Sequence, residues 1–493
     1  MIGLFLAGAA LTVKADVRPE MDFGPFASRW TDIHGVERFQ LLGPVVEAGV
    51  SEHGDGFLAL RPLFSRVEDS ATERTRMDIA WPLCVAKTFR EESYCRFLTV
   101  FYLDYDRKDP ESRYHFRAFP FYFQGRDKFG ADYIALFPFG GQINEFLGRD
   151  YINFLLFPLW TRHSINSVDT RSVLWPLISH TSGKGVHRFR VFPLYGQSMD
   201  QGRFSKKFVL WPFWTSGEYL HPRSYGSGYV VFPLFGHLAL SDEETWFVVP
   251  PLFRFSRGDR LETVHAPWPL LQYKSGEEER LYVFPLWGRK SQPGNYTQFT
   301  LWPIVHRQRL DRGETVLHRF WLRPFWYADR YMAPAGPGSR SSAGEVQDFY
   351  YKLWPLASYR RDGDVTRFRL LELWPFKNAP VMDRNFAPFW TLYSRQSIDQ
   401  DVDHEFLWGL VRDRVREGEG RYTSVFPFFD WTRTKQPSKA SEFRILKGLF
   451  GWKREGAAKQ IQLLYLLRFG NLENGGLSNE KGSTASQAEP STP

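Results

Sequence analysis

The sequence predicts an all-β protein built as an antiparallel up-and-down array of repeated strands, and three observations carry that prediction. Aromatic residues make up 17% of the 493 residues, and aromatic side chains favour pleated, half-buried strands. Forty glycines and 32 prolines interrupt helices and supply turns. The third observation is an internal repeat of fixed period, the signature of one supersecondary unit used many times. The aromatic density excludes a disordered chain. With a mean hydropathy of −0.38 and no 18-residue apolar run beyond the N-terminus, the sequence also gives no transmembrane helix.

From the N-terminus, residues 1–15 (MIGLFLAGAALTVKA) have the apolar length and the small residues at Val13 and Ala15 of a signal peptide, with cleavage expected after Ala15. They lack the usual basic n-region. Residues 16–37 form a lead-in. Cys84 and Cys95 are the only cysteines, too few for a disulfide scaffold or a four-thiolate metal site. They read equally as one cross-strand disulfide in an oxidising compartment or as two small buried hydrophobes.

The repeat domain spans residues 38–470. Its motif is an apolar segment centred on proline: LLGPVV at Pro44, LRPLF at Pro62 and AWPLC at Pro82, and so on to RPFW at Pro324. Tyr102 fills the one missing beat, so 280 residues hold fifteen intervals with a period of about 18.7. The repeat-core positions are Pro158, Trp175–Pro176, Phe192–Pro193, Trp211–Pro212, Phe232–Pro233, Phe284–Pro285 and Trp302–Pro303. Phe-type and Trp-type motifs alternate here. Glycine follows the Phe-type prolines at Gly196, Gly236 and Gly288, a rhythm that fits either up and down strands in different surroundings or a duplicated hairpin. After an irregular insertion at 327–347 the motif resumes at Pro355, Pro375, Pro388 and Pro427, giving about 20–23 units in all. Residues 471–493 are Gly-, Ser-, Asn- and Glu-rich and read as a disordered polar tail.

Within a unit, a strand of about 11 residues followed by a turn of about 7 accounts for the period. Strands of that length suggest a large barrel, yet proline does not donate to a ladder and sits mid-motif in nearly every unit. The alternatives are a barrel whose prolines mark bulges, or units of two short strands bent at the proline, wound into a solenoid-like sheet over Phe and Trp. A propeller would need more blades than is usual.

The serial PLF, PLW, WPF and FPLxG units, with FLGRDYINFLLFPLW at Phe146–Trp160 and the late LKGLFGW, resemble a group of uncharacterised bacterial envelope-associated repeat proteins. The resemblance covers about Gly43 to Gly470. It implies a bacterial source and an all-β array, and it carries over no catalytic residue.

No metal-protease, P-loop, nucleophile-elbow or Cys-x-x-Cys motif is present, so no catalytic, cofactor-binding or metal-ligating residue is named and the chain is read as a non-enzyme. His163 with His180, and His306 with His318, are the histidine pairs that strand pairing would bring together. The acidic runs Asp242–Glu244, Glu277–Glu279 and Asp399/Asp401/Asp403 fall between motifs and read as solvated turns. The net charge of +8 is spread along the array rather than gathered in one stretch, which argues against nucleic acid as a partner. It fits cross-strand pairing with Asp and Glu, or a cationic surface toward membrane lipid or envelope glycan. The expectation is an exported, non-enzymatic envelope protein of the outer membrane or periplasm, serving as scaffold, channel or conduit. The other reading is a soluble exported module that grips glycan or lipid through aromatic strands.

Overall fold

The computed structural model describes residues 17–51, 54–109, 112–222, 224–259, 261–333, 346–435 and 439–471. The predicted signal peptide, the centre of the insertion and nearly all of the polar tail lie outside the described residues. Among the described residues forty-six strands, numbered along the chain from β1 (Met21–Asp22) to β46 (Leu467–Gly470), form one antiparallel sheet in which each strand pairs with its neighbours in sequence. The first two strands fall within residues 16–37. Two short helices, α1 (Pro380–Asn385) and α2 (Ala387–Trp390), interrupt the series between β37 (Val365–Leu370) and β38 (Tyr393–Ile398).

Each repeat is two short strands rather than one of about 11 residues. Between Pro158 and Pro176 lie β16 (Trp160–Ile165) and β17 (Val168–Val173), joined through Asn166 and Ser167. Six residues make a strand of roughly 20 Å. The reason is the missing proline N–H: the motif cannot sit in a ladder, so it becomes the turn and the strands form on either side. Seventeen X–Pro bonds among the described residues are cis, and all lie in these turns. Two short strands per unit is the arrangement observed, and among the described residues the 46 strands make 23 hairpins whose connections share one long edge, all of them short apolar turns except the β37–β38 connection, which carries α1 and α2. The other edge carries polar turns, in which side chains cap the backbone. At one of them Asp127 Oδ1 accepts from the Phe129 and Ala131 N–H groups at 2.9 and 3.0 Å.

Because directly opposed residues of an antiparallel pair share a face, the register defines two faces along the ribbon. One row runs Thr161, Ser172, Ser179, Arg190, Gly196, Phe208, Thr215 on seven consecutive strands. Followed both ways, this face reaches Ser28 and Gln40 near the N-terminal end and Arg412 and Ser424 near the C-terminal end. These residues meet. Arg412, 1% exposed, donates to Asp22 and Gln40, each at 2.9 Å, and the Tyr422 hydroxyl donates to Asp22 at 2.7 Å. From α1, Arg384 pairs with Asp78 and donates to Ser65 Oγ at 3.0 Å. The ribbon therefore folds back so that this inner face at one end packs on the same face at the other.

The ends are joined through side chains, some of which donate to backbone carbonyls of the other end, as Gln40 does to the Trp408 carbonyl at 3.3 Å. Among the described residues β1 pairs only with β2, and β46 only with β45, so no ladder closes their sheet into a barrel. An apolar cluster of Phe123, Tyr133, Ala135, Ile143 and Phe154 fills the inner face between β12 (Tyr122–Arg126) and β15 (Arg149–Leu155). Elsewhere the inner face is largely polar.

Cys84 and Cys95 are both free thiols. They occupy diagonal positions on β8 (Cys84–Phe89) and β9 (Glu92–Phe97), Cys84 opposite Phe97 and Cys95 opposite Ala86, and both are half-exposed rather than buried.

An apolar edge and a cationic groove as the candidate functional site

The repeat-core residues lie on the turns of one edge, not at strand centres. Burial was expected for their aromatics, but Trp175, Trp211 and Trp302 are 47%, 49% and 49% exposed, and Phe192, Phe232 and Phe284 are half-buried. Pro158, Pro176, Pro193, Pro233, Pro285 and Pro303 are exposed, with Pro212 intermediate. The Phe–Trp alternation does not distinguish up from down strands, since every one of these motifs is on the same edge. It places unlike rings side by side along that edge. Phe157 meets Trp175 at 5.5 Å between centroids, Phe192 meets Trp211 at 5.4 Å, and Phe284 meets Trp302 at 5.5 Å. Tilted pairs of this kind are favourable beyond their buried area.

The glycines of the Phe-type units have a separate cause. Gly196 and Gly288 sit on the inner face beneath the rings of Phe208 and Phe299, where a Cβ would lie 2.1 and 2.3 Å from ring carbons.

Around these aromatics the edge is lined with further exposed apolar side chains, among them Leu159, Leu194, Phe213, Leu234, Leu286, Phe325 and Phe428. The first outward-facing strand residues continue the apolar band, with Leu60, Ile79, Leu155 and Val173 all exposed. Most telling are Leu42, Leu156, Leu174, Leu210 and Leu301, which are exposed and also held at φ between 43° and 54°. A left-handed backbone costs a residue with a Cβ roughly 1–2 kcal/mol, and glycine or asparagine is the usual occupant. Leucine here serves neither the local conformation nor solvation in water.

The second feature is a groove of about 650 Å³ on the inner face between β15 and β25 (Glu243–Val248). Trp175 and Trp211 line its apolar-edge end, and no Asp or Glu among the described residues lines it. Arg188 and Arg190 on β19 (Val186–Val191) and Lys206 on β21 (Phe204–Val209), one strand apart in the sheet, stand opposite Thr181, Ser179 and Gly217. The Lys206 ammonium lies over the rings of Phe204 and Tyr219 at 4.8 and 5.1 Å, and Arg190 Nε is buried without a hydrogen-bond partner. The register separates the histidine pairs: His163 and His306 are on the inner face, whereas His180 and His318 are on the outer one. Burial, and Arg323 near His306, hold the pKa values of His163 and His306 below the ordinary histidine range.

Of the acidic runs, Glu243 binds Arg254 at 3.0 Å, Glu278 binds Arg280 at 2.5 Å, and Asp403 binds Arg416 at 2.7 Å. They are pairing partners at or near polar turns. Sequence reasoning located the edge residues but misread their surroundings, because proline content shows where a turn falls and not which medium the turn faces. No group of three or more His, Cys, Asp or Glu among the described residues is placed to hold a metal ion. No protein-family model matches the chain, and no curated protein matches it in sequence.

Proposed function

We propose that the chain is an exported, non-enzymatic envelope protein that seats its apolar edge in one leaflet of a membrane, with outer membrane and periplasm as its location, and acts there as a scaffold or conduit. The observation that carries this reading is the one-sided edge, where leucines in left-handed backbone positions stand exposed beside half-exposed tryptophans. Apolar residues in an unfavourable conformation and an unfavourable solvent are explained by a medium other than water. Interfacial proteins bury such surface about 5–10 Å deep.

Strands of about six residues fall short of the 9–11 that a spanning strand needs. Seating in one leaflet therefore fits better than a transmembrane channel. A wound ribbon, apolar at one edge and polar on its inner face, also leaves the acid-free groove open at the membrane side, as a conduit for anionic or amphiphilic cargo requires.

Flotation with phosphatidylcholine vesicles tests the reading. The wild-type chain is expected to float. Leu234→Ser, Leu286→Ser and Phe428→Ser combined are expected to weaken vesicle binding at least tenfold with little change in melting temperature, because these side chains are already exposed in the fold. A wild-type chain that stays with the soluble fraction, or a triple variant that floats equally well, overturns it.

A further inference from the structure

Where the two ends of the ribbon meet, their inner faces and α1 border an open pocket of about 510 Å³. Six arginines line it against three carboxylates, Glu47, Asp383 and Glu405. The carboxylates are committed: Glu47 to Arg38 at 2.7 Å and also to Arg61, Asp383 to Arg369 at 2.8 Å, and Glu405 to Arg412 at 3.4 Å. Arg367 on β37 has neither an ion-pair nor a hydrogen-bond partner among the described residues. It stands directly opposite Arg360 on β36 (Ala357–Asp362), where like charges repel, although Arg360, exposed at the pocket mouth, is itself paired with Asp362 at 2.5 Å. Arg369 is two residues further along the same face. Burial, with Arg369 and Arg38 nearby, outweighs the attraction of Asp383 and pushes the Arg367 pKa down to about 10.

An uncompensated guanidinium beside other guanidinia is unfavourable in a protein interior, and an oxyanion that accepts forked hydrogen bonds from several of them removes the penalty. We infer that this pocket is a binding site for a phosphoryl group, held by Arg367 together with Arg360 and Arg369, in a ligand that bridges the two ends of the ribbon. The volume lies within the range of small-molecule sites, so it admits more than a bare ion. The inference is independent of membrane seating.

The test is the melting temperature of the full chain in sodium phosphate against sodium chloride of equal ionic strength, alongside calorimetric titration with inorganic phosphate. Wild type is expected to gain several degrees in phosphate. Arg367→Gln, which breaks no existing bond, is expected to fold, to melt at or above wild type in chloride, and to bind phosphate at least tenfold more weakly. Arg203→Gln, on a polar turn, serves as the control and keeps the wild-type response. Titration with glycerol 3-phosphate, and flotation with vesicles containing phosphatidic acid, then separate a soluble phosphomonoester from a lipid headgroup. Equal phosphate responses in wild type and Arg367→Gln, or equal stabilisation by chloride, overturn the inference.

Discussion

At the scale of single residues, the inner face is governed by buried charges whose partners come from distant parts of the chain. Arg412 is the clearest case. Its guanidinium reaches Asp22, Ser28, Gln40 and Glu405 and lies 4.7 Å from the Trp30 ring centroid. Removing one side of such a buried pair leaves the other charge uncompensated, which costs about 3–5 kcal/mol. Arg412→Met is therefore expected to lower unfolding stability by that amount in urea denaturation, and a loss below about 1 kcal/mol would show that the contact is dispensable. None of this was legible in the sequence. Arg412 belongs to a run, VRDRVR, that reads as an ordinary alternating strand, and its partners Asp22, Ser28 and Gln40 are 390, 384 and 372 residues away.

At the scale of elements, the hairpin explains the motif. The turn excludes proline from the ladder, the glycine of the Phe-type unit makes room for a neighbouring ring, and the left-handed leucine carries apolar surface outward. If leucine is present for the membrane rather than the fold, replacing it separates the two. Leu174→Gly with Leu301→Gly relieves the backbone at both turns, so melting temperature is expected to hold or to rise by an amount corresponding to at most about 1 kcal/mol per site. Vesicle affinity is expected to fall about tenfold, since two leucines lose part of the 1.5–3 kcal/mol that each gains on full burial. A fall in melting temperature without a change in vesicle binding would assign these leucines to the fold instead. The motif, its spacing and the Phe–Trp alternation were all visible in the sequence. The length of the strands was not, because a unit of about 18.7 residues divides equally well into one long strand and a loop or into two short strands and two tight turns.

At the scale of the whole molecule, no strand ladder closes the described part of the ribbon, and its ends are held by charged clamps. Burial raises the pKa of Asp22, but Arg412 and Lys447, with the Tyr422 hydroxyl and the Gly24 N–H, outweigh it and hold the carboxyl below its ordinary value. For Glu47, burial is likewise outweighed by Arg61 and Arg38. Carboxyls depressed in the folded state contribute their full stability above their ordinary values, near 4, and lose it as pH falls through the depressed values. Small-angle scattering is expected to show a constant radius of gyration from pH 7 to about pH 5 and an increase below about pH 4 as the ends separate. Strand content by circular dichroism should persist, since each hairpin is held by its own ladder. Expansion that begins near pH 6, or simultaneous loss of strand signal, would count against the clamp.

The sequence by itself determined the local architecture. Proline and glycine spacing dictates where chain direction reverses, and aromatic density dictates that the segments between are strands, because both follow from backbone geometry within a few residues. Tertiary structure alone decided three things: which edge all the apolar turns share, which face becomes the inside, and which charges meet when the ribbon folds back. Those depend on the parity and register accumulated over 46 strands and on contacts between residues hundreds of positions apart, and a periodic sequence leaves both open.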